Sequence, residues 1–292
     1  MSSFKAPLIY RPTHAGRSVG AVSRFAGMPV GVELHSDWQV YTNHFQHFND
    51  YDFTNDWTIT ETGAAGFSAI VTDTSPSYLA LVCDALDNDS QEVQFTAANG
   101  AGEFIDLTTD RACYFEAMIR MVDANNDADT VQQVDWFVGL AVTDTTVIDG
   151  ATDFVGFVKV DGTTSAIQLV CGDAGGAAGA LVDQSATNTG WTVTSPTGTA
   201  ATDRAARVMG ANQWIKLAFL IEPHANGTQG DLWGWVNDEP ISASPINVAG
   251  FVPDTNICMT LCVQNGEAVA KTLHIAHLIV AQNLRDDAGV LV

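Results

Sequence analysis

An all-β body, built as two antiparallel sheets packed face to face behind an extended N-terminal arm, is the fold this sequence predicts. Three observations carry the prediction. From Tyr51 onward, short runs rich in β-branched and aromatic residues recur at intervals of roughly 8–15 residues, with Gly, Asn, Asp and Pro between them. The clearest of these runs alternate. In WIKLAFLI, Trp214, Lys216, Ala218 and Leu220 share one face, while Ile215, Leu217, Phe219 and Ile221 form a wholly apolar row on the other. Finally, a single stretch, ATDRAARV at 201–208, carries even a modest helical pattern.

At 292 residues the chain fits one domain or two, and sandwiches often exceed about 200 residues as one. An apolar fraction of 46% supplies a core of ordinary size. The formal net charge is −22, with 34 Asp and Glu against 12 Lys and Arg. Such a surface repels nucleic acid and anionic lipid, so neither nucleic acid nor membrane is an expected partner. No acid precedes Glu33, whereas Lys5, Arg11, Arg17 and Arg24 do; the total of −22 therefore divides into +4 over the first 32 residues and −26 over the rest. A basic arm on an acidic body signals a partner, the alternative being a solvated tail.

The five cysteines, Cys83, Cys113, Cys171, Cys258 and Cys262, are odd in number and show no metal-binding spacing. Cys258 and Cys262 share one face of one strand, too far apart in an extended chain to bridge each other. All five are expected to be reduced and packed, as in a protein assembled in a cytoplasm. The chain does not open with the apolar region of a secretory signal, and no apolar run is long enough for a helix to span a bilayer. The expectation is a soluble protein that is not exported through a cleaved signal.

Residues 1–48 read as the arm and 49–292 as the body. Pro7, Pro12 and Pro29 exclude helix and central strand in the arm, and Gly16, Gly20, Gly27 and Gly31 loosen it. Yet Phe4, Leu8, Ile9, Tyr10, Phe25 and Met28 are too apolar for a spacer. They are expected to anchor the arm on another surface.

In the body, strands are expected near 57–61, 68–73, 78–83, 91–97 and 103–107. This segment, 51–110, either completes the one sandwich or stands as a small β-subdomain; its lack of a core-sized apolar set favours completion. ACYFEAMIRMV (112–122) places Cys113, Phe115, Ala117, Ile119 and Met121 in one row. Tyr114, Glu116, Met118 and Arg120 form a mixed row expected to face solvent or a partner. Strands at 132–143, 153–160 and 165–171 follow. The small-residue run 171–190 is expected to be a long loop before a strand at 191–194. After the turn 223–230, Leu232, Gly234 and Val236 oppose Trp233 and Trp235, and NDEP ends the strand. Asp231, Asp238 and Glu239 are assigned to turns. Strands at 256–264 and 272–282 close the set, the last buried on both sides.

Three candidate sites emerge. Asp123, Asn125, Asp127 and Asp129 space oxygen ligands at alternate positions, as a calcium loop can. The sixth position is Ala128 rather than Gly and the twelfth is Val134 rather than Glu, so a solvated hairpin tip is the better reading. His44 and His47, with His35 and Asp50 nearby, are metal-ligand types, but an extended backbone points His44 and His47 to opposite sides. Trp233 and Trp235, two apart on one strand face, are what stacking on a sugar ring requires; burial between sheets or in an interface is the alternative. No G-x-S-x-G, H-E-x-x-H, P-loop or E-x-D-x-x-E sequence occurs, and nothing argues for catalysis.

From Ala112 to Leu284 the chain resembles a concanavalin A-like (laminin G/glucanase-type) jelly-roll sandwich. The resemblance rests on ACYFEAMIRM, on DWFVGLAVT, on QWIKLAFLIEP leading into GDLWGWVNDEPIS, and on TLHIAHLIVAQ. The sugar and calcium ligands of that family do not carry over residue by residue. An apolar and basic arm, MSSFKAPLIYRPTHAGRSVGAVSRF, ahead of such a body is also similar to tailed-bacteriophage capsid decoration (cement) proteins. This likeness implies a non-catalytic virion protein, a homotrimer bound to the major capsid protein on the outer capsid surface, assembled in the host cytoplasm without a cofactor. Phe4, Lys5, Leu8, Ile9, Tyr10, Arg11, Arg17, Arg24 and Phe25 would then bind the capsid. A carbohydrate-binding module or host-adsorption lectin using Trp233 and Trp235 or the 171–190 loop is the alternative. A glycoside hydrolase with divergent acids is a third.

Overall fold

The computed structural model describes residues 56–63, 78–96, 103–108, 111–122, 133–161, 167–173, 212–224, 229–241, 245–248, 250 and 252–283. It describes 38–44, 67–71 and 190–192 by their backbone. In chain order the elements are β1 (Trp38–His44), β2 (Trp57–Thr62), β3 (Phe67–Val71), β4 (Tyr78–Val82), β5 (Ser90–Phe95), β6 (Cys113–Val122) and β7 (Val134–Ala141). A one-turn helix, α1 (Val147–Gly150), precedes β8 (Phe154–Lys159), β9 (Gln168–Gly172) and β10 (Gly190–Thr192). Then come β11 (Ile215–Pro223), β12 (Gly230–Val236), β13 (Glu239–Pro240), β14 (Ile246–Asn247), β15 (Cys258–Asn265) and β16 (Thr272–Asn283).

These strands form two antiparallel sheets, as the alternation predicts. The first runs β13-β12-β11-β6-β16-β4-β3, with β1 also on β16 and β14 on β12. The second runs β10-β9-β8-β7-β15-β5-β2. β16 organises the first sheet. One edge pairs with β6 over most of its length; the other pairs with β4 through Thr272–Ile275 and with β1 from His277 onward. The register against β6 slips between Ile275 and His277. The extra residue, Ala276, is a β-bulge against β6, at the point along β16 where its other edge passes from β4 to β1.

The core is the meeting of the two inner faces. Phe115 of β6 stacks on Phe219 of β11 with ring centroids 5.0 Å apart, and Phe157 of β8, from the other sheet, packs 6.3 Å from Phe219. Each such side chain contributes about 1.5–3 kcal/mol on removal from water. The rows expected for β6 and β11 are the buried ones: Cys113, Phe115, Ala117, Ile119 and Met121 are each 0% exposed. All five cysteines are free and buried. Burial pushes the thiols up, Cys83 to about 12 and Cys258 to about 11. No helix among the described residues is long and apolar enough to cross a membrane.

On the outer face of the second sheet, α1 and its flanks form a smaller cluster with Phe137, Phe154 and Val170. This segment is clasped by β5. Glu92 accepts from the Val147 N–H at 3.0 Å, supplying the cap that Thr146 does not. Gln94 donates to the Val142 carbonyl at 3.0 Å and accepts from the Asp144 N–H at 3.0 Å.

Several expectations change. Residues 38–44, grouped with the arm, form β1 on the central strand of the first sheet, because WQVYTNH finds an edge of β16 beyond the bulge. Residues 1–37 and 45–55 lie outside the described residues. Strands from 51–110 enter both sheets, β2 and β5 in the second and β3 and β4 in the first, so the segment completes the sandwich. Of the strand expected at 103–107 there is one bridge, Ile105 to Ile257. Asp231 lies within β12 and Glu239 in β13, while Asp238 holds the turn with φ 70°. α1 was not anticipated, being one turn tied down by a distant glutamate. The expected helix at 201–208, most of the 171–190 loop and the 123–129 hairpin lie outside the described residues.

Candidate functional site

The outer face of the first sheet carries a polar and aromatic cluster. Arg120 on β6 faces His274 on β16 in register. The guanidinium Nη2 donates to His274 Nδ1 at 2.9 Å. The guanidinium also lies over two rings, 4.6 Å from the Trp214 ring and 5.4 Å from the Tyr78 ring. Tyr78 stacks on His274 at 3.9 Å, and its ring is 6.0 Å from Trp214. Tyr78 and His274 are buried, while Arg120 and Trp214 are partly exposed. Loss of water, then the adjacent Arg120 charge, push His274 down to about 3. The histidine is therefore neutral and its Nδ1 is an acceptor.

Along the same face, buried Glu116 accepts from the Tyr114 hydroxyl at 2.7 Å and pairs with His277 Nε2 at 3.0 Å. This corrects the expectation that the Tyr114–Arg120 row faces solvent. Its first two members are buried because they satisfy one another, and its last two are half-buried.

Trp233 and Trp235 share this outer face, as the alternation of β12 requires. Both are 5% exposed and pack with Tyr114, Leu220 and Ala218. The Trp233 indole donates to Glu222 Oε2 at 3.2 Å. Both are buried, leaving little indole surface for a sugar, but on the outer face of the first sheet rather than between the sheets as the alternative had it. Trp214, partly exposed just ahead of β11, is the more accessible aromatic of this face. Its partners lie far off in the chain, and its alternation alone placed it with Lys216.

A second cluster sits at one end of the sandwich. Asp153 just before β8, Asp173 just after β9 and Asp254 ahead of β15 bring carboxylate oxygens within 4.8 Å of one another. Repulsion from Asp173, then loss of water and Asp153, hold the Asp254 carboxyl above its ordinary range. Among the described residues this is the one group of acids so placed, and its oxygen ligands are of the kind a hard cation takes. No local motif announced it, since strand pairing assembles it from three separate loops. The proposed calcium residues Asp123, Asn125, Asp127 and Asp129 fall outside the described residues, as do the arm residues Phe4 to Phe25 and His47. His44 lies in β1 opposite His277.

No family model matches the sequence, and no curated protein is similar enough to match it. Solved structures do match. The carbohydrate recognition domain of Emp46p in its metal-free form aligns with a TM-score of 0.51 at 9% identity, covering 82% of this chain and 95% of that one. The endo-1,3-β-glucanase of Streptomyces sioyaensis aligns at 0.51 and 8% identity, covering 85% and 98%. The endo-β-1,4-glucuronan lyase of Trichoderma reesei aligns at 0.48 and 11%, covering 84% and 96%. At these identities the likeness is one of fold. The fold is that of the concanavalin A-like jelly-roll sandwiches, which here include both a binding domain and an enzyme.

Proposed function

We propose that this chain is a carbohydrate-binding sandwich that acts without catalysis, with the outer face of its first sheet as the binding face. The observation that carries this reading is the partly exposed Trp214 indole with the Arg120 guanidinium against it. An aromatic face packs on the apolar side of a sugar ring while fixed donors meet its oxygens. The shared fold with a carbohydrate recognition domain and a glucanase supports the reading by analogy. Capsid decoration rests on the arm, and neither the described residues nor the structural neighbours add to it.

A hydrolase is the second reading, and one observation favours it. Asp254, a carboxyl held toward its protonated form, lies beside Asp153 and Asp173 at a spacing suited to paired-carboxylate chemistry. Release of reducing ends from β-glucans, lost in Asp254→Asn, would establish that reading and overturn the non-catalytic one.

The test of the binding reading is a glycan array with the full chain, competed by free oligosaccharide. The expected result is specific, competable binding that falls on Trp214→Ala, a substitution outside the core. Absence of competable binding to any glycan overturns the proposal. Co-sedimentation of that same preparation with phage shells would return the weight to decoration.

A further inference from the structure

We infer that Arg120 is the receptor for a single carboxylate, carried by an acidic sugar at the end of a bound glycan. This deepens the carbohydrate reading and rests on it.

The argument begins with what surrounds the cations. With 34 acids to 12 bases, a lysine or arginine in this chain should find a carboxylate. The others described do. Arg111 pairs with Asp106 at 3.1 Å, Lys216 with Asp238 at 2.9 Å and Lys271 with Glu267 at 2.5 Å. Buried Lys159 feels the charges of Asp135 and Asp161. Arg120 is the exception. Among the described residues no carboxylate lies within ion-pair distance of it. Glu116, two places along on the same face of β6, is engaged by Tyr114 and His277, and Asp238 by Lys216.

The groups that do hold Arg120 leave its charge uncompensated. Two aromatic rings lie against the guanidinium, and a neutral histidine takes one donor. Its Nε is buried, with no hydrogen-bond partner among the described residues, and is closed to a ligand. Arg120 is partly exposed, and on that open side its planar fork matches a carboxylate, which supplies both the negative charge and two coplanar oxygens. The partly exposed Trp214 beside it offers a face for the ring that bears that group.

The body's charge limits how acidic the ligand can be. The net charge of −26 over the residues after position 32 opposes the approach of a long polyanion to the body. A neutral chain ending in one acidic residue places its single negative charge at Arg120, the one described cation without a carboxylate beside it. Uniform polyuronides and heavily sulfated glycans are disfavoured on the same ground.

The experiment pairs oligosaccharides ending in glucuronic or sialic acid with their carboxyl-reduced counterparts, and includes sulfated glycans. The full chain should bind the acids at least about tenfold more tightly than the reduced forms, and Arg120→Gln should abolish that preference. The ring resonances of His274 should shift when the glucuronic-acid-terminated sugar is added to the unmodified protein, a readout independent of whether the variant folds. Equal binding of acid and reduced forms overturns the inference and leaves the carbohydrate reading standing. A preference for sulfated glycans, or an acid preference with His274 unmoved, overturns it as well. No binding to any glycan overturns both.

Discussion

Arg120 and His274 face each other across neighbouring strands, and the guanidinium donates to the histidine's Nδ1 at 2.9 Å. That bond requires an unprotonated Nδ1, which ties the integrity of the cluster to pH. In the folded protein His274 is held down at about 3 by loss of water and by Arg120, against an ordinary value of 6.5. Between these values the unfolded chain binds a proton that the folded chain does not. Stability contributed by neutral His274 is therefore present above about pH 6.5 and is lost as pH falls toward 3. The loss is at most about 1.4 kcal/mol per pH unit for one such group. Thermal melts should show His274→Asn melting lower than the parent at pH 7, with the gap closing by pH 4. A constant gap would mean that His274 titrates normally in the folded state.

Lys159 predicts a trend of the same sign at the other end of the pH scale. Its Nζ donates to the carbonyls of Val134 and Val160 at 2.8 and 2.9 Å, with no exposed surface. Loss of water brings it down to about 8, with Asp135 and Asp161 holding it up and Lys271 opposing them. The folded value lies below the unfolded one of about 10.4, so a penalty for the buried charge is present below pH 8 and relieved as pH rises. Ionisation of the buried thiols on unfolding drives stability down over the same range, so the measure is a difference. The melting temperature of the parent minus that of Lys159→Met should grow between pH 8 and 10. A difference that stays flat would show that the ammonium is solvated.

Gly139 of β7 and Gly156 of β8 pair directly, with the Phe137 ring against both. A Cβ on Gly139 would come 2.4 Å from the Val155 carbonyl oxygen and 2.5 Å from the Gly156 Cα. Backbone cannot move aside as a side chain does, so Gly139→Ala should cost about 1–3 kcal/mol, as overpacking does. Calorimetry should register a fall in melting temperature of roughly 2–4 °C per kcal/mol. A variant that melts with the parent would contradict the close approach of these two strands.

The strands that alternate strictly were legible because burial on one face leaves a period of two in the sequence. The rows of β6 and β11 are examples. What escaped is what depends on partners far apart in the chain. Arg120 and His274 are separated by 154 positions, and neither is unusual in its own strand. Glu116 and Tyr114 read as solvent-facing because side-chain polarity does not reveal that two polar groups satisfy each other in a buried place. Asp153, Asp173 and Asp254 each end or precede a strand, where an acid is commonplace. β1 was read as arm because its one partner is β16, the last strand described.

The position of β16 has a consequence for how the protein is made. It lies at the centre of the first sheet, yet it is synthesised after every other strand described here. Until it leaves the ribosome, β6 presents an unpaired edge, and β4 with β3 has nothing to join. The first sheet exists only as two fragments over that interval, with its apolar inner rows exposed and closure dependent on contacts of long sequence separation. The nascent chain therefore keeps these apolar rows open until β16 emerges, and closure of the first sheet waits on that one strand.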